Sequence, residues 1–500
     1  MTNEKRFFSL ARGSILFLVI IFTFFIVITP SIYAFTQEAK EEQVSSRHYM
    51  ELMNSIFNFV EKNFVDEVDK EKLYAGAIKG MMDSLEDDYS TYLDKASMRS
   101  LSDTTVGSFG GVGLSITKPV LSTSEKPAYV EVVSPIEDTP GWKAGIQSGD
   151  LIISIDGTAT PEITMEEVLN KLRGEIGKDV TLTIRRGKTF EFPVTLTRAL
   201  IEVPTVKFGI IHEAKEKIGY LRIIEFTPQT PERVEQALQS FKKEQVASLI
   251  IDLRNNPGGL ISSVSDVADK FIDEGVIVST RGRNGREDQV YRAKSKKTTV
   301  VRDLPIVVLI NKGSASASEI LSGALKDYHL AYLVGERTFG KGSVQQVIGL
   351  PYSDGVKLTM ARYYTPSDAN IDKIGIPPDL EIKMPELSEK QEEAYFKLLE
   401  DDVVAKKVEK NPHMTEKDIS VYATELQKDY DVPYIYLRRL IKLEVYRTKE
   451  SPLYDLDFDI QLKKAIEILE TQDFATLVKS TKTVSELQKE AQDELETTKD

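Results

Sequence analysis

The sequence has no cysteine among its 500 residues. This absence excludes disulfide bonds, thiol nucleophiles, zinc–thiolate sites, iron–sulfur clusters and a lipid-modified N-terminal cysteine. Histidine is also scarce, and a chain with so few histidines is a poor candidate for a His-rich metal site. The histidines are His48, His212, His329 and His413.

Positive charge is in short supply as well. The chain has 64 Lys and Arg against 78 Asp and Glu, which gives a net charge of −14. Nucleic-acid binding needs clustered basic side chains that neutralise phosphates, so we expect no nucleic-acid partner. The sequence contains neither an internal repeat nor a low-complexity linker, and its length indicates more than one domain.

The N-terminus has the pattern of an export signal. Basic residues up to Arg12 precede the apolar run 15–29, and small residues follow as far as Ala34. We therefore predict that residues 1–34 are a signal peptide or a membrane anchor, with the apolar part within 13–34. The run lies between the lengths typical of a cleaved signal and of a spanning helix, which leaves both alternatives open. Either way, the body of the chain is expected outside the cytoplasm, as an exported periplasmic or extracytoplasmic protein.

The pattern of the remaining chain changes three times. Residues 48–94 have helical spacing, short strands with glycine punctuation follow, and strands then alternate with helices as in an α/β core. After Pro385 the chain is charged and helical, with apolar stripes that fit self-association, an adaptor contact or packing on the core equally well. The predicted segments are an N-terminal helical region 35–98, a β-rich domain 99–198, an α/β core 199–385 and a C-terminal helical region 386–500.

A glycine cluster opens the β-rich domain. It lacks the Gly-Lys-Ser/Thr ending of a nucleotide loop and precedes a strand, so phosphate binding fits poorly. Together with the segments 144–150 and 155–157, it resembles the PDZ domain closely. The resemblance implies that backbone amides capture a peptide carboxylate while the peptide adds a strand to the sheet edge. The expected binding loop is Gly110, Gly111, Val112, Gly113 and Leu114.

Ser316 is the candidate nucleophile. It lies at a predicted strand-to-helix corner, where flanking alanines leave room for a substrate and amide groups can stabilise an oxyanion. Glu319 follows three residues later, so a helix-capping box that requires no chemistry explains the same pattern. The residues alone do not decide between a catalytic serine and a helix cap.

Lys341 is a better candidate base than any histidine. It lies between two glycines without an acidic neighbour, and desolvation there would lower its pKa. If 341–350 is a strand, Lys341 and Gln345 share one face, and the Gln345 amide can hold the amine without adding charge. A surface lysine on a glycine-rich hairpin is the alternative.

The turn that follows the apolar strand 247–253 can supply an oxyanion donor. Gly258 and Gly259 lie in this turn, and either can offer an N–H beside that of Ala317. Taken alone, the segment is simply a strand-to-helix turn, and without further motifs that is the interpretation we favour.

Three segments in this order resemble the carboxyl-terminal processing proteases, also called tail-specific proteases. They are Asp252–Gly259, Asn311–Glu319 and Gly335–Gln345, and the resemblance covers about residues 45–385 with the PDZ domain included. It implies a multidomain α/β protein, in which a ClpP/crotonase-like serine protease core carries a PDZ β domain and flanking helical segments. It also implies an endopeptidase with a Ser–Lys dyad and an acyl-enzyme.

The family's residue roles carry over to matched positions. The resemblance implies that Ser316 is the nucleophile, Lys341 the general base and Gln345 the residue that orients the lysine. It implies oxyanion donors at Ala317 and at the glycine pair, for which we favour Gly258. Expected partners are proteins or peptides with a free C-terminus, and neither a metal nor another cofactor is expected.

Other functions fit less well. A catalytically inactive PDZ scaffold is the main alternative, and the joint presence of Ser316, Lys341 and Gln345 argues against it. A penicillin-recognising Ser-x-x-Lys enzyme would have to use Ser240 and Lys243, which have charged neighbours on a surface-type helix. The loop 365–371 departs from the family, which usually has glycine after the serine, where this chain has Asp368.

Overall fold

The computed structural model describes residues 46–119, 127–136, 138–147, 149–187, 189–283, 287–300, 304–446 and 452–497. The predicted signal or anchor, residues 1–34, lies outside these ranges. The chain divides into two compact units, Met1–Ser84 and Leu85–Asp500. Among the helices described, none combines the length and the apolar character needed to cross a membrane.

The first unit is helical, as its spacing predicts. It contains α1 (Ser46–Asn63) and α2 (Lys70–Asp83). Asp69 caps α2, because its carboxylate accepts hydrogen bonds from the N–H groups of Glu71 and Lys72. The helical prediction for 48–94 is wrong at its end, where Thr91–Leu93 forms the strand β1 of the second unit. Pairing with residues 355–357 and burial of Leu93 override local helical spacing there.

The β-rich region follows the helix α3 (Lys95–Val106). Strands β3, β4, β5, β7 and β8 form an antiparallel sheet in that order, β6 pairs with β5, and β2 pairs with β9. Buried apolar side chains, among them Ile152 and Ile184, give this region its own core. The elements are β2 (Ser108–Gly111), β3 (Leu114–Thr117), β4 (Val130–Pro135), α4 (Pro140–Lys143), β5 (Leu151–Ile155), β6 (Thr158–Ala159), α5 (Met165–Leu172), β7 (Asp179–Arg186), β8 (Phe190–Thr197) and β9 (Ala199–Glu202).

The α/β core is built on a sheet of order β10-β11-β12-β15-β16-β19, parallel from β11 onward. A second sheet has the order β1-β18-β13-β14, with β17 also paired to β18. The elements are β10 (Val206–Ile211), β11 (Ile218–Ile223), α6 (Thr230–Glu244), β12 (Ser248–Asp252), α7 (Ile261–Ala268), β13 (Glu274–Arg281), β14 (Glu287–Lys294), β15 (Ile306–Ile310), α8 (Ala317–Asp327), β16 (Tyr332–Gly335), β17 (Ser343–Gly349), β18 (Gly355–Tyr364) and β19 (Leu380–Glu381).

The parallel strands read as continuous apolar runs because both faces of the sheet are covered. Helices α6, α7 and α8 pack on one face. The other face is covered by the C-terminal segment, whose Leu462, Ala465 and Ile468 pack against apolar strand residues such as Ile250 and Val307. The C-terminal ends of β12 and β15 lie side by side, which brings the turns after them together.

The C-terminal segment has two parts. Four helices share a small core of their own that includes Leu398, Leu437 and Ile441, whereas α13 packs on the parallel sheet. Packing on the core is therefore the alternative that applies to α13. The helices are α9 (Glu389–Glu400), α10 (Val403–Lys410), α11 (Glu416–Asp429), α12 (Tyr434–Val445), α13 (Ile460–Thr471), α14 (Phe474–Lys479) and α15 (Val484–Thr497).

Candidate active site

Ser316 lies at the N-terminal end of α8, just after the turn that follows β15. Its φ of 53° is in the left-handed region, and a residue other than glycine held in such a conformation costs about 1–3 kcal/mol. The side chain is partly exposed, and within the described chain its hydroxyl donates a hydrogen bond to no protein group. Such strain at a strand-to-helix corner is typical of a serine that must present its hydroxyl.

The two neighbouring serines have different surroundings. Ser314 and Ser318 are buried. Their hydroxyls donate to the carbonyl oxygens of Leu253 at 2.8 Å and Asn256 at 3.0 Å. These bonds hold the segment around Ser316 against the turn after β12. Of the three serines, only Ser316 is partly exposed and has a hydroxyl that donates no hydrogen bond within the described chain.

The turn after β12 touches the candidate nucleophile. A Cβ at Gly258 would lie 2.9 Å from the Cβ of Ser316 and 3.0 Å from the nitrogen of Ala317. Only glycine allows this approach, and the φ of 110° at Gly258 also favours it. The buried side chain of Asn256 fixes the turn, because its Nδ2 donates to the Ile223 carbonyl at 2.9 Å.

The predicted oxyanion donors differ in availability. The Gly258 N–H donates to Oδ1 of Asn256 at 2.9 Å. In the described part of the chain, the N–H groups of Gly259 and Ala317 form no hydrogen bond. Ala317 is the first residue of α8, where the helix dipole favours a developing negative charge. In this conformation Gly259 and Ala317 have the free N–H groups, whereas Gly258, which we favoured, would first have to release Asn256.

Lys341 is partly buried between the buried Gly340 and Gly342. Its Nζ lies 4.8 Å from the centroid of the Tyr89 ring. Burial lowers the pKa of Lys341, and the nearby ammonium group of Lys357 lowers it further. Carboxylates of Glu319 and Asp87 oppose this shift. The net effect lowers the pKa of Lys341, which is the direction that a general base needs.

Glu319 joins the serine segment to the lysine segment. Its Oε2 accepts the N–H of Ser316 and the N–H of Lys341, each at 2.9 Å. Because one oxygen accepts both bonds, the two nitrogens are no farther apart than the sum of these distances. The other oxygen, Oε1, accepts from Thr338 Oγ1 at 2.5 Å and the Gly340 N–H at 2.7 Å. Glu319 therefore caps α8, and it also binds the loop that carries the lysine.

Gln345 lies in β17, which begins at Ser343 rather than at residue 341. Its Nε2 donates to Ser343 Oγ at 2.9 Å and to Thr359 Oγ1 at 3.2 Å. A register irregularity separates Val344 from Gln345. The glutamine thus binds hydroxyl groups in this conformation, and its orientation of Lys341 stays a prediction.

The predicted carboxylate-binding residues begin in β2, which contains Gly110 and Gly111, and end at Leu114, the first residue of the edge strand β3. Only Val112 and Gly113 form a loop between the two strands. Gly113 has a φ of 74°, and the carbonyl oxygens of Val112 and Gly113 accept hydrogen bonds from Gly141 and Ile136. Among the described residues, the N–H groups of Val112 and Gly113 have no hydrogen-bond acceptor. The loop therefore has its carbonyl groups anchored and two amides free beside an open sheet edge, which suits a carboxylate ligand.

Histidine and acidic groups form no further candidate centre in the described chain. No cluster of three or more His, Asp or Glu residues there could hold a metal ion. His329 follows the C-terminal end of α8, whereas Ser316 precedes its N-terminal end. Nδ1 of His329 lies 3.0 Å from Thr481 Oγ1.

Comparisons with known proteins match this arrangement. Peptidase family S41 matches residues 217–382, a PDZ domain matches 131–186, and the N-terminal domain of the activating protease CtpB matches 30–97. A carboxy-terminal-processing protease of Bartonella bacilliformis is 40% identical over 335 residues, 66% of this chain and 74% of that protein. Carboxy-terminal processing protease CtpA of Bacillus subtilis is 32% identical over 447 residues, 88% of this chain and 87% of that protein.

The chain belongs to the carboxy-terminal processing proteases of peptidase family S41. The predicted family, the predicted PDZ domain and the prediction of a serine peptidase are thereby confirmed. The predicted fold class, a multidomain α/β protein with a protease core, a PDZ domain and helical segments, is confirmed as well. Peptides are therefore the substrate class of this protease.

The sequence did not reveal two features of this S41 protease site. Tyr89 lies beside Lys341 although about 250 residues separate them, and no spacing pattern connects such distant positions. Glu319 was visible in the motif, but only as a helix cap. Its contacts with the lysine loop depend on how that loop folds back, which the local sequence does not encode.

The departure at Asp368 has a conformational explanation. Its φ is 66°, in the left-handed region where glycine is the usual residue. Aspartate tolerates this region better than most side chains, and here its carboxylate pairs with Arg281. The loop of this protease thus keeps the backbone conformation that glycine favours.

Proposed function

We propose that Ser316 and Lys341 are the catalytic dyad of this serine peptidase, and that its PDZ loop binds the free C-terminus of protein substrates. The observation that carries the dyad is the Glu319 carboxylate, because one of its oxygens binds the backbone N–H groups of both residues. Support for tail recognition comes from the free amides of Val112 and Gly113.

The proposed reaction is acyl transfer. The neutral Nζ of Lys341 takes the hydroxyl proton of Ser316 as Oγ attacks the scissile carbonyl carbon. The N–H of Ala317 and one N–H of the glycine pair, Gly258 or Gly259, stabilise the oxyanion. When the C–N bond breaks, the Lys341 ammonium gives its proton to the leaving amine. Lys341 then deprotonates a water, which attacks the acyl carbon. As the ester C–O bond breaks, the Lys341 ammonium returns the proton to Ser316 Oγ, and both residues regain their starting forms. Gln345 is proposed to orient the lysine.

The setting follows from the N-terminal sequence. Basic residues before an apolar run indicate export, so we propose that cleavage takes place outside the cytoplasm. The N-terminal segment is then either removed or kept as a membrane anchor. No cofactor has a part in the proposed reaction.

The test compares two peptides that differ only in a free or an amidated C-terminus, with cleavage followed by mass spectrometry. We expect the wild-type protein to cut the free form faster, because an amide offers the loop no charge. Ser316→Ala and Lys341→Met should each lower kcat by at least about a thousandfold. Lys312→Met is the control for Lys341→Met. Lys312 lies in the segment Asn311–Glu319 that carries Ser316, and its side chain is 78% exposed.

Three outcomes would contradict the proposal. Cleavage by Ser316→Ala would refute the nucleophile, and equal cutting of both peptides would refute tail recognition. A wild-type protein that binds the free peptide without cutting it would favour the inactive PDZ scaffold.

A further inference from the structure

Arg254 begins the turn that carries the glycine pair, directly after β12. Its guanidinium group is largely buried, with 14% of the side chain exposed. Its Nε and Nη2 donate to the two carboxylate oxygens of Asp252, at 2.9 and 2.6 Å. The same carboxylate accepts the hydroxyl of Tyr220 at 2.6 Å. One side of the guanidinium group is thus bound within the protease core.

The other side is bound by the C-terminal segment. Nη1 and Nη2 of Arg254 donate to the two oxygens of Asp459 at 2.8 and 2.6 Å. Nη1 also donates to Gln461 Oε1 at 3.0 Å, and Gln461 Nε2 donates to the Ile382 carbonyl at 2.6 Å. Two carboxylates therefore hold two adjacent edges of one planar guanidinium group, which share Nη2, and each forms two hydrogen bonds.

Asp459 is itself held rigidly. Its Oδ1 accepts the N–H of Leu462 at 2.9 Å and so caps α13, which packs on the parallel sheet. Although burial disfavours a charged Asp252, the charge and hydrogen bonds of Arg254 outweigh this effect and keep the pKa of that carboxyl group low. Asp252 and Arg254 therefore both stay charged at neutral pH. Loss of the Asp459 carboxylate would leave part of a buried guanidinium group without an acceptor.

Successive contacts along the turn connect Arg254 with the segment that carries Ser316. The next residue, Asn255, exchanges two hydrogen bonds with the side chain of Asn311, at 2.9 and 3.1 Å. Asn256 then accepts the Ala315 N–H at 3.0 Å. Gly258 ends the series so close to Ser316 that a Cβ at Gly258 would lie 2.9 Å from the Cβ of Ser316. The turn is thus held at Arg254 at one end and rests on the nucleophile at the other.

We propose that Asp459 is a positioning residue for catalysis, which holds the turn 254–259 against Ser316 through its paired hydrogen bonds to Arg254. The C-terminal segment is on this view part of the catalytic unit. The inference rests on the proposed function, because the turn matters only if its glycine pair serves the oxyanion.

The test is Asp459→Asn, which keeps the shape and one acceptor oxygen but replaces the other with a donor facing Arg254. The matched control is Asp473→Asn, because Asp473 caps α14 in the same way without a contact to the turn. Outright loss of an oxyanion donor costs about 100- to 1000-fold in kcat, so a loosened turn should cost about tenfold. KM should stay unchanged. Because breaking the buried charge pair also lowers stability, Asp459→Asn should unfold at a lower temperature than the control, and kcat is compared well below both transitions.

A peptidyl boronate separates positioning from a merely structural role. Its adduct with a serine is tetrahedral and requires the oxyanion donors, so its affinity should fall by the same factor as kcat in Asp459→Asn. If Asp459→Asn does not fold, Gln461→Met removes the hydrogen bonds to Arg254 and to the Ile382 carbonyl but no charge. We expect a smaller, parallel loss of kcat and boronate affinity in that variant.

Equal kcat in Asp459→Asn and Asp473→Asn would overturn the inference, as would a changed KM with unchanged kcat. A fall in kcat without a fall in boronate affinity would overturn it as well, and so would an unaffected Gln461→Met. None of these results touches the proposed function, which fails separately if the wild-type protein does not cleave or if Ser316→Ala still does.

Discussion

Neighbouring charges shift the pKa of Lys341 in opposite directions. After burial, the Lys357 ammonium group is the main influence that lowers its pKa, whereas Asp87 is one of two carboxylates that raise it. Asp87 is itself held in the charged form. Burial opposes its ionisation, but hydrogen bonds from Ser90 and Thr359 outweigh burial and lower the pKa of its carboxyl group. Both neighbours can therefore be neutralised singly, with opposite expected effects.

Neutralising either neighbour should shift the pH profile of kcat/KM. A general base works only when neutral, so activity rises with pH through the pKa of Lys341, which lies below 10.5. Lys357→Met removes a like charge, raises that pKa and moves the rise to higher pH, with lower activity at pH 7. Asp87→Asn removes an opposite charge and moves the rise to lower pH. The measurement is kcat/KM from acid to alkaline pH.

The control for this pair is Lys207→Met, an exposed lysine on β10, which should leave the profile unchanged. Shifts of both variants in one direction, or no shift in either, would show that Lys341 is not the group that titrates.

At the scale of elements, Glu319 joins α8 to the loop before β17. Each oxygen of the Glu319 carboxylate accepts two hydrogen bonds. In Glu319→Gln, an NH₂ group replaces one of these oxygens and faces two donors that then have no acceptor. Each unsatisfied buried polar group costs about 1–3 kcal/mol, so we expect about 2–4 kcal/mol of lost core stability. Because the same bonds hold Ser316 and Lys341 together, kcat should fall as well. Urea unfolding and peptide cleavage measure the two effects.

A matched control exists in the PDZ domain. Glu167 forms a capping box with Thr164 at the start of α5, and it is exposed. Glu167→Gln therefore reports capping alone, which is worth about 1 kcal/mol. If Glu319→Gln costs no more than Glu167→Gln, its role is that of a helix cap only, which is the alternative that the sequence left open.

The sequence predicted the order of these elements because strand and helix periodicities are local. Helix 231–243 and strand 306–310 agree with α6 and β15 within about one residue. It could not predict that Asp368 adopts a left-handed φ or that β1 forms a strand, because a loop closure and a partner strand about 260 residues away decide them. In the site, it proposed Ser316 and Lys341 but could not show that Glu319 binds both.

At the scale of the whole molecule, the described chain has separate apolar cores. The PDZ domain has one, helices α9–α12 have another, and the parallel sheet is covered on both faces, by α6–α8 and by α13. The apolar stripe of α13 could not show in advance whether α13 packs on the sheet or on an outside partner, because either contact would bury the same residues. Only the fold decides that Leu462 and its neighbours pack on the protease core.

The separate PDZ core predicts separate unfolding. Ile184 is completely buried there, opposite Ile152 on the neighbouring strand. Ile184→Ala should destabilise the PDZ domain by about 2–5 kcal/mol and leave the transition of the protease core in place. Between the two transitions, the preference for a free over an amidated C-terminus should be lost. Calorimetry measures the first effect, and the paired peptides measure the second.

Ile176→Ala is the control, because that side chain belongs to the same domain but is 56% exposed. It should change stability by less than about 0.5 kcal/mol. A single transition that moves as a whole in Ile184→Ala would mean that the PDZ domain and the protease core unfold as one cooperative unit. In that case no temperature would unfold the PDZ domain while the protease core stays folded. Tail recognition and cleavage would then be lost together.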